Sequence, residues 1–138
     1  MAGEFAAVAV TLFIAHMVAD HWAQTHVEAT NKAKPGWCGR AWCALHVSIH
    51  TVISGAAVAV VAWRLGLDLE PVWFAAGLVL SGATHFLADR RWFIEWLAGV
   101  TGSRDFYQVR TGGICGPYLL DQSWHIGWML PVSLLIIA

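Results

Sequence analysis

Four long apolar stretches of this chain each carry a pair of histidine or aspartate residues spaced four apart, and no other feature constrains the fold as much. The stretches cover residues 5–19, 43–63, 71–88 and 126–138, and the pairs in or beside them are His16/Asp20, His46/His50, His85/Asp89 and Asp121/His125. Residues four apart share one face of an α-helix, so each segment reads as an apolar rod with one polar stripe. A helix of a soluble protein shows the reverse, an apolar stripe on a polar rod. Only 12% of the residues are charged and 58% are apolar, whereas ordinary soluble domains carry about 25% charged residues. The expectation is an all-α integral membrane protein in one domain, residues 1–138, folded as an up-down bundle of four transmembrane helices.

The breaker residues set the expected boundaries. Helix 1 is expected from Glu4 to Thr30, ending before Lys34-Pro35-Gly36, because the residue before a proline is pushed out of the helical region. Helix 2 is expected from Arg40 to Trp63, near the roughly 20 apolar residues that span a bilayer. Pro71 suits the first turn of helix 3, which continues to Gly99; a glycine-rich loop, Val100–Gly116, leads to helix 4 from Pro117 onward. The N-terminal segment holds Glu4 but no Lys or Arg and no cleavage-like site, so it reads as the start of a membrane helix rather than as a secretory signal.

Lys32, Lys34, Arg40, Arg90, Arg91, Arg104 and Arg110 fall on one side of this topology, and Arg64 stands alone on the other. The positive-inside rule then places both termini outside a bacterial inner or plasma membrane. Trp22, Trp37, Trp42, Trp92 and Trp96 are expected in an inner aromatic belt, Trp63 and Trp73 in an outer one. The polar pairs lie late, early, late and early in successive helices, which gathers all four in the cytoplasmic leaflet. At 1.5 Å per residue, His16 lies about 16 Å and Asp20 about 22 Å along the helix from Phe5. His16-Met-Val-Ala-Asp20 and His85-Phe-Leu-Ala-Asp89 match in His, Ala and Asp, a two-helix pseudo-repeat of the kind that implies a twofold axis along the membrane normal.

An aspartate at the centre of a membrane helix costs about 2.5–3.5 kcal/mol on insertion scales, so Asp20, Asp89 and Asp121 should face inward and be partnered. Buried His–Asp hydrogen bonds between helices would serve. Five imidazoles and three carboxylates converging in one leaflet favour metal instead: His16, Asp20, His46, His50, His85, Asp89, Asp121 and His125 are the expected ligands. Imidazole and carboxylate suit zinc, with iron or manganese as alternatives, and eight groups suffice for one or two ions. Gln24 and Gln122 are expected to orient a ligand or substrate. His21 should lie at the interface and His26 in solvent; Cys38, Cys43 and Cys115, odd in number and without CxxC spacing, read as reduced loop thiols.

His-x-x-x-Asp-x-x-x-Gln followed by Asn31-Lys32, then His-x-x-x-His, His-x-x-x-Asp and Asp121-Gln122-x-x-His125, resembles a family of small bacterial and phage membrane proteins of unknown function. More loosely the pattern is similar to membrane-bound metal-dependent hydrolases. The cysteines and Gly112-Gly113 lie outside the likeness. It implies a metal and hydrolysis and supplies no substrate. The leading expectation from the residues themselves is an intramembrane hydrolase in which an ion activates water and Asp121 or Asp20 accepts the proton, acting on a lipid or another amphipathic ester or phosphoester. Two other functions fit the same residues, a metal-stapled structural or regulatory membrane protein and a metal-ion or proton transporter. Membrane lipid is the expected partner, with a membrane protein or a second copy as further candidates. Lys32, Arg90 and Arg91 serve as positive-inside anchors or as contacts for an anionic headgroup. A net charge of -1 argues against nucleic acid.

Overall fold

The computed structural model describes residues 2–138. Among them every regular element is helical: α1 (Ala2–Val18), continued by a π-helical turn at Ala19–Ala23, α2 (His26–Asn31), α3 (Gly36–Leu65), α4 (Pro71–Asp89), α5 (Trp92–Val100), α6 (Arg104–Gln108) and α7 (Gly116–Ile136). Three segments are long and apolar enough to cross a membrane: Ala2–Ala23, Gly36–Leu65 and Pro71–Asp89. At 30 residues, α3 is about 45 Å long, so its ends extend beyond a hydrocarbon layer of about 30 Å.

α1 packs on α3 and α7, and α4 packs on the same two helices, leaving α1 and α4 on opposite sides of the assembly. The helices bearing the two matching His–Asp pairs are therefore diagonal to each other. Val8 and Leu12 of α1, Val58 of α3, and Val132 and Ile136 of α7 form the buried apolar core, with Phe74 and Leu80 of α4 against it. At Gly77 a Cβ would run into Ile136, so this glycine sets the close approach of α4 and α7.

Several boundaries differ from the sequence expectation. Helix 1 does not run to Thr30: the π turn, closed by Gln24 N–H donating to Ala19 O (3.0 Å), ends in extended backbone at Gln24, and a new helix starts beyond it. Thr25 and Glu28 form a capping box there, Thr25 N–H donating to Glu28 Oε2 (2.7 Å) and Glu28 N–H to Thr25 Oγ1 (3.2 Å). Two orphan amides are satisfied by ending one helix and starting another. Helix 2 begins at Gly36 rather than Arg40, immediately after Pro35, and ends where Gly66 turns left-handed at φ 67°.

Helix 3 stops at Asp89 rather than Gly99, because Arg91 adopts φ 59° and redirects the chain into α5. The expected loop from Val100 to Gly116 contains α6. Cys38 and Cys43 are not loop thiols: both lie within α3, Cys38 exposed in its first turn and Cys43 buried, while Cys115 is exposed just before α7. Trp22, Trp37, Trp63, Trp92 and Trp96 point outward, consistent with anchoring at an interface, and His21 and His26 are exposed.

Candidate functional site

The polar stripes of the helices meet in one cluster beside the apolar core. His16 comes from α1, His46 and His50 from α3, His85 from α4 and His125 from α7, and all five rings are buried. His85 is the hub. Its ring centroid lies 4.0 Å from that of His125, 4.1 Å from His50, 5.2 Å from His46 and 5.7 Å from His16.

Three atoms define the heart of the site. His46 Nε2 and His85 Nε2 are 3.2 Å apart, and Asp89 Oδ2 lies 3.4 Å from the first and 3.3 Å from the second. Asp20 Oδ1 approaches the same two nitrogens at 3.4 and 3.6 Å. A tetrahedral zinc with bonds of about 2.0–2.1 Å separates its nitrogen and oxygen ligands by about 3.3 Å, which is the size of the His46–His85–Asp89 triangle. Asp20 Oδ1, Asp89 Oδ2, His50 Nδ1 and His125 Nε2 are buried and make no hydrogen bond. Unpartnered buried polar atoms are costly, and two of these, Asp20 Oδ1 and Asp89 Oδ2, face the same pair of imidazole nitrogens; the donor set fits a cation. His16, Asp20, His50 and His85 form a second group able to share an ion, and Asp89, Asp121 and His125 a third.

The two glutamines touch the imidazoles. His16 Nε2–H donates to Gln122 Oε1 (3.1 Å), which turns His16 Nδ1 toward His50 Nε2 at 3.1 Å and Asp20 Oδ2 at 3.7 Å. Gln24, at the break after the π turn rather than on a continuous stripe, brings its amide Nε2 to 2.9 Å from His46 Nδ1 and 3.0 Å from His46 Nε2. All eight histidine and aspartate residues singled out from the sequence are thus brought together. Asp121 is the most peripheral, its side chain 24% exposed and its Oδ1 3.6 Å from His125 Nε2.

Two participants escaped the sequence reading as site residues. Lys32 is buried and ion-paired to Asp89, Nζ to Oδ1 at 2.6 Å, so it holds one carboxylate oxygen while the other faces the imidazoles. Glu28, 2% exposed, anchors the short helix that delivers Lys32. Arg90 is spent in the same corner, donating to the carbonyls of Lys32 and Lys34. The sequence signal for this corner was the capping pattern Thr25-x-x-Glu28.

A cavity of about 370 Å³ opens above the cluster, lined among others by Asp20, Gln24, Lys32, Asp89, Asp121 and Gln122. Its rim carries Arg91, Arg110, Tyr107 and the pair His21–Tyr118, in which Tyr118 O–H donates to His21 Nε2 (2.7 Å). Partial burial raises the Tyr107 phenol above its ordinary pKa, and Glu95 adds to the effect, so at neutral pH it remains a hydroxyl donor. On the apolar side of the cluster only about 20 Å³ of space remains, bounded by Leu12, Ser54 and Val132.

No curated protein and no solved structure matches the chain. A family model described as a protein of unknown function, DUF3307, matches residues 8–138, and the chain belongs to that family.

Proposed function

We propose that the protein is a membrane-embedded metal-dependent hydrolase, an up-down bundle in which α1, α3, α4 and α7 cross a bacterial inner membrane. Both termini face outward and the cavity faces the cytoplasmic leaflet, as the distribution of cationic residues favours. The observation that carries the reading is the His46–His85–Asp89 triangle, sized for a tetrahedral ion and opening on a cavity through Asp20 and Asp89. Three protein ligands with a fourth position left over is the arrangement of catalytic rather than structural zinc sites. Such an ion, zinc or else iron or manganese, would polarise an ester or phosphoester and make water a competent nucleophile at neutral pH.

The chain supplies the rest. Lys32 fixes the Asp89 carboxylate, Gln122 and Gln24 orient His16 and His46, and Asp121 waits at the cavity edge as the proton acceptor. Asp20, closer to the triangle, serves as a further ligand or as an alternative base. The small space on the far side of the cluster holds about one water, which speaks against a conducting path and hence against the transporter reading. If every coordination position were filled by protein, the same cluster would be a metal staple.

The test is a comparison of metal content with turnover. Purified protein should hold about one to two transition-metal ions per chain and cleave an amphipathic nitrophenyl ester or phosphoester. Asp121→Asn should lower kcat by about 10²- to 10⁴-fold, the usual scale for a general base, and keep its metal. Metal-bound protein that turns over neither substrate class would leave the staple; metal-free protein indifferent to chelators would remove the ion from the account altogether.

A further inference from the structure

We propose that the ligand of this site is a single-chain or glycerol-based lipid with a terminal phosphate, its head in the cavity above the cluster and its chain in the groove between α5 and α7. The inference rests on the hydrolase reading only for what happens to the ligand after it binds. That groove is about 370 Å³ in volume, lined by Ile94, Leu97 and Ala98 of α5 and Leu120, Trp124 and Gly127 of α7. Ile94 also lines the polar cavity, so the two spaces meet at that side chain. One is charged and the other greasy, the division of an amphiphile.

The head is identified by charge. Arg91 and Arg110 both line the polar cavity. The Arg91 guanidinium has no carboxylate partner among the described residues, although its backbone is held at φ 59°, a conformation that a non-glycine residue adopts only at a cost. Arg110 donates to the carbonyls of Tyr107 and Val109 (2.6 and 2.9 Å), which fixes its direction. Two guanidinium forks match a phosphate, which carries about 1.5–2 negative charges at neutral pH, better than a fatty-acid carboxylate that carries one. Lys32 is already engaged by Asp89. The exposed Trp92 and Trp96 on α5 put the groove mouth at the depth where lipid heads and chains divide.

Gly127 allows a clean test. A Cβ added there meets nothing within 4 Å, so Gly127→Leu starts its side chain from open space on the groove wall, and Gly127 is not one of the cluster residues. Binding of monododecyl phosphate and of inorganic phosphate would be measured for the wild type, Gly127→Leu and Arg91→Gly, each with its metal and after chelation. Glycine is chosen at position 91 because it accepts the left-handed backbone. Monododecyl phosphate should bind at least tenfold more weakly to each variant, with inorganic phosphate weakened by Arg91→Gly alone.

Equal binding of monododecyl phosphate to the wild type and Gly127→Leu would overturn the chain site, and equal binding to Arg91→Gly would overturn the head site. Chelated wild type that still discriminates in this way while the metal-loaded protein hydrolyses nothing would sustain the lipid site and fail the hydrolase. Turnover of a soluble phosphoester, combined with indifference to Gly127→Leu, would do the opposite.

Discussion

Around Val8, Leu12, Val58, Val132 and Ile136 the long helices meet through apolar side chains. One turn further along α1, at His16, the same helices meet through imidazoles and carboxylates, four atoms of which are buried without a hydrogen bond. The first region closes by shape, since lipid offers apolar side chains much the same surroundings as a protein core. The second cannot be explained by shape. Its polar atoms would cost several kcal/mol if they stayed unpaired, so their convergence means that the region is built for something the apolar region does not need.

The largest effect should come from exchanging a residue in each region. His85 contacts the other four imidazoles, and His85→Ala should abolish metal retention and remove the stabilisation that added metal gives. Leu12, 3% exposed in the apolar core, should behave in the opposite sense. Leu12→Ala should lower stability by about 2–5 kcal/mol without changing metal stoichiometry, read by thermal unfolding and elemental analysis side by side. Equal metal content in the two variants would erase the distinction between the regions.

The pairs were legible because residues four apart share a helical face and because the up-down topology expected from the sequence would bring late and early positions to one level. That reasoning found every histidine and aspartate of the cluster. It failed where the chain departs from regular helix. The π turn at Ala19–Ala23 adds a residue to the helical turn just where Asp20 sits, and Gln24 reaches His46 from extended backbone instead of from a stripe. Arg91 at φ 59° ends α4 with neither glycine nor proline to announce it. Lys32 was read as a positive-inside anchor or headgroup contact because it falls with the other cationic residues on one side of the topology, yet the break at Gln24 folds it back onto Asp89. Charge counting sees the side of the membrane on which a lysine lies, not the carboxylate it meets.

Lys32 sharpens the comparison at the next level. Removing one partner of a buried ion pair costs about 3–5 kcal/mol, because the remaining charge is stranded. Lys32→Met should therefore destabilise chelated protein by an amount in that range, read from denaturation midpoints, and metal-loaded protein by clearly less, since a cation at Asp89 Oδ2 would neutralise the same carboxylate. Identical losses in the two states would mean that Asp89 is not a ligand, leaving His16, Asp20, His50 and His85 as the stronger set.

The smallest effect concerns how the polar region is held in place. Thr25 caps α2 with its hydroxyl oxygen, which accepts from the Glu28 N–H (3.2 Å) while the hydroxyl donates to Glu28 Oε2 (2.5 Å), and α2 carries the chain to Lys32. Thr25→Ala should cost about 0.5–2 kcal/mol, as loss of a side-chain cap does, and Thr25→Ser should restore most of it. Because the cap lies outside the long helices, the loss should show as faster amide exchange in residues 26–31 with the apolar core unaffected. Some of it should reach the cluster, as weaker retention of metal under a chelator challenge, since a frayed α2 loosens Lys32 and with it Asp89. Faster exchange in α2 with unchanged metal retention would show that Lys32 is held by Asp89 and by the Arg90 bond to its carbonyl rather than by the helix that presents it.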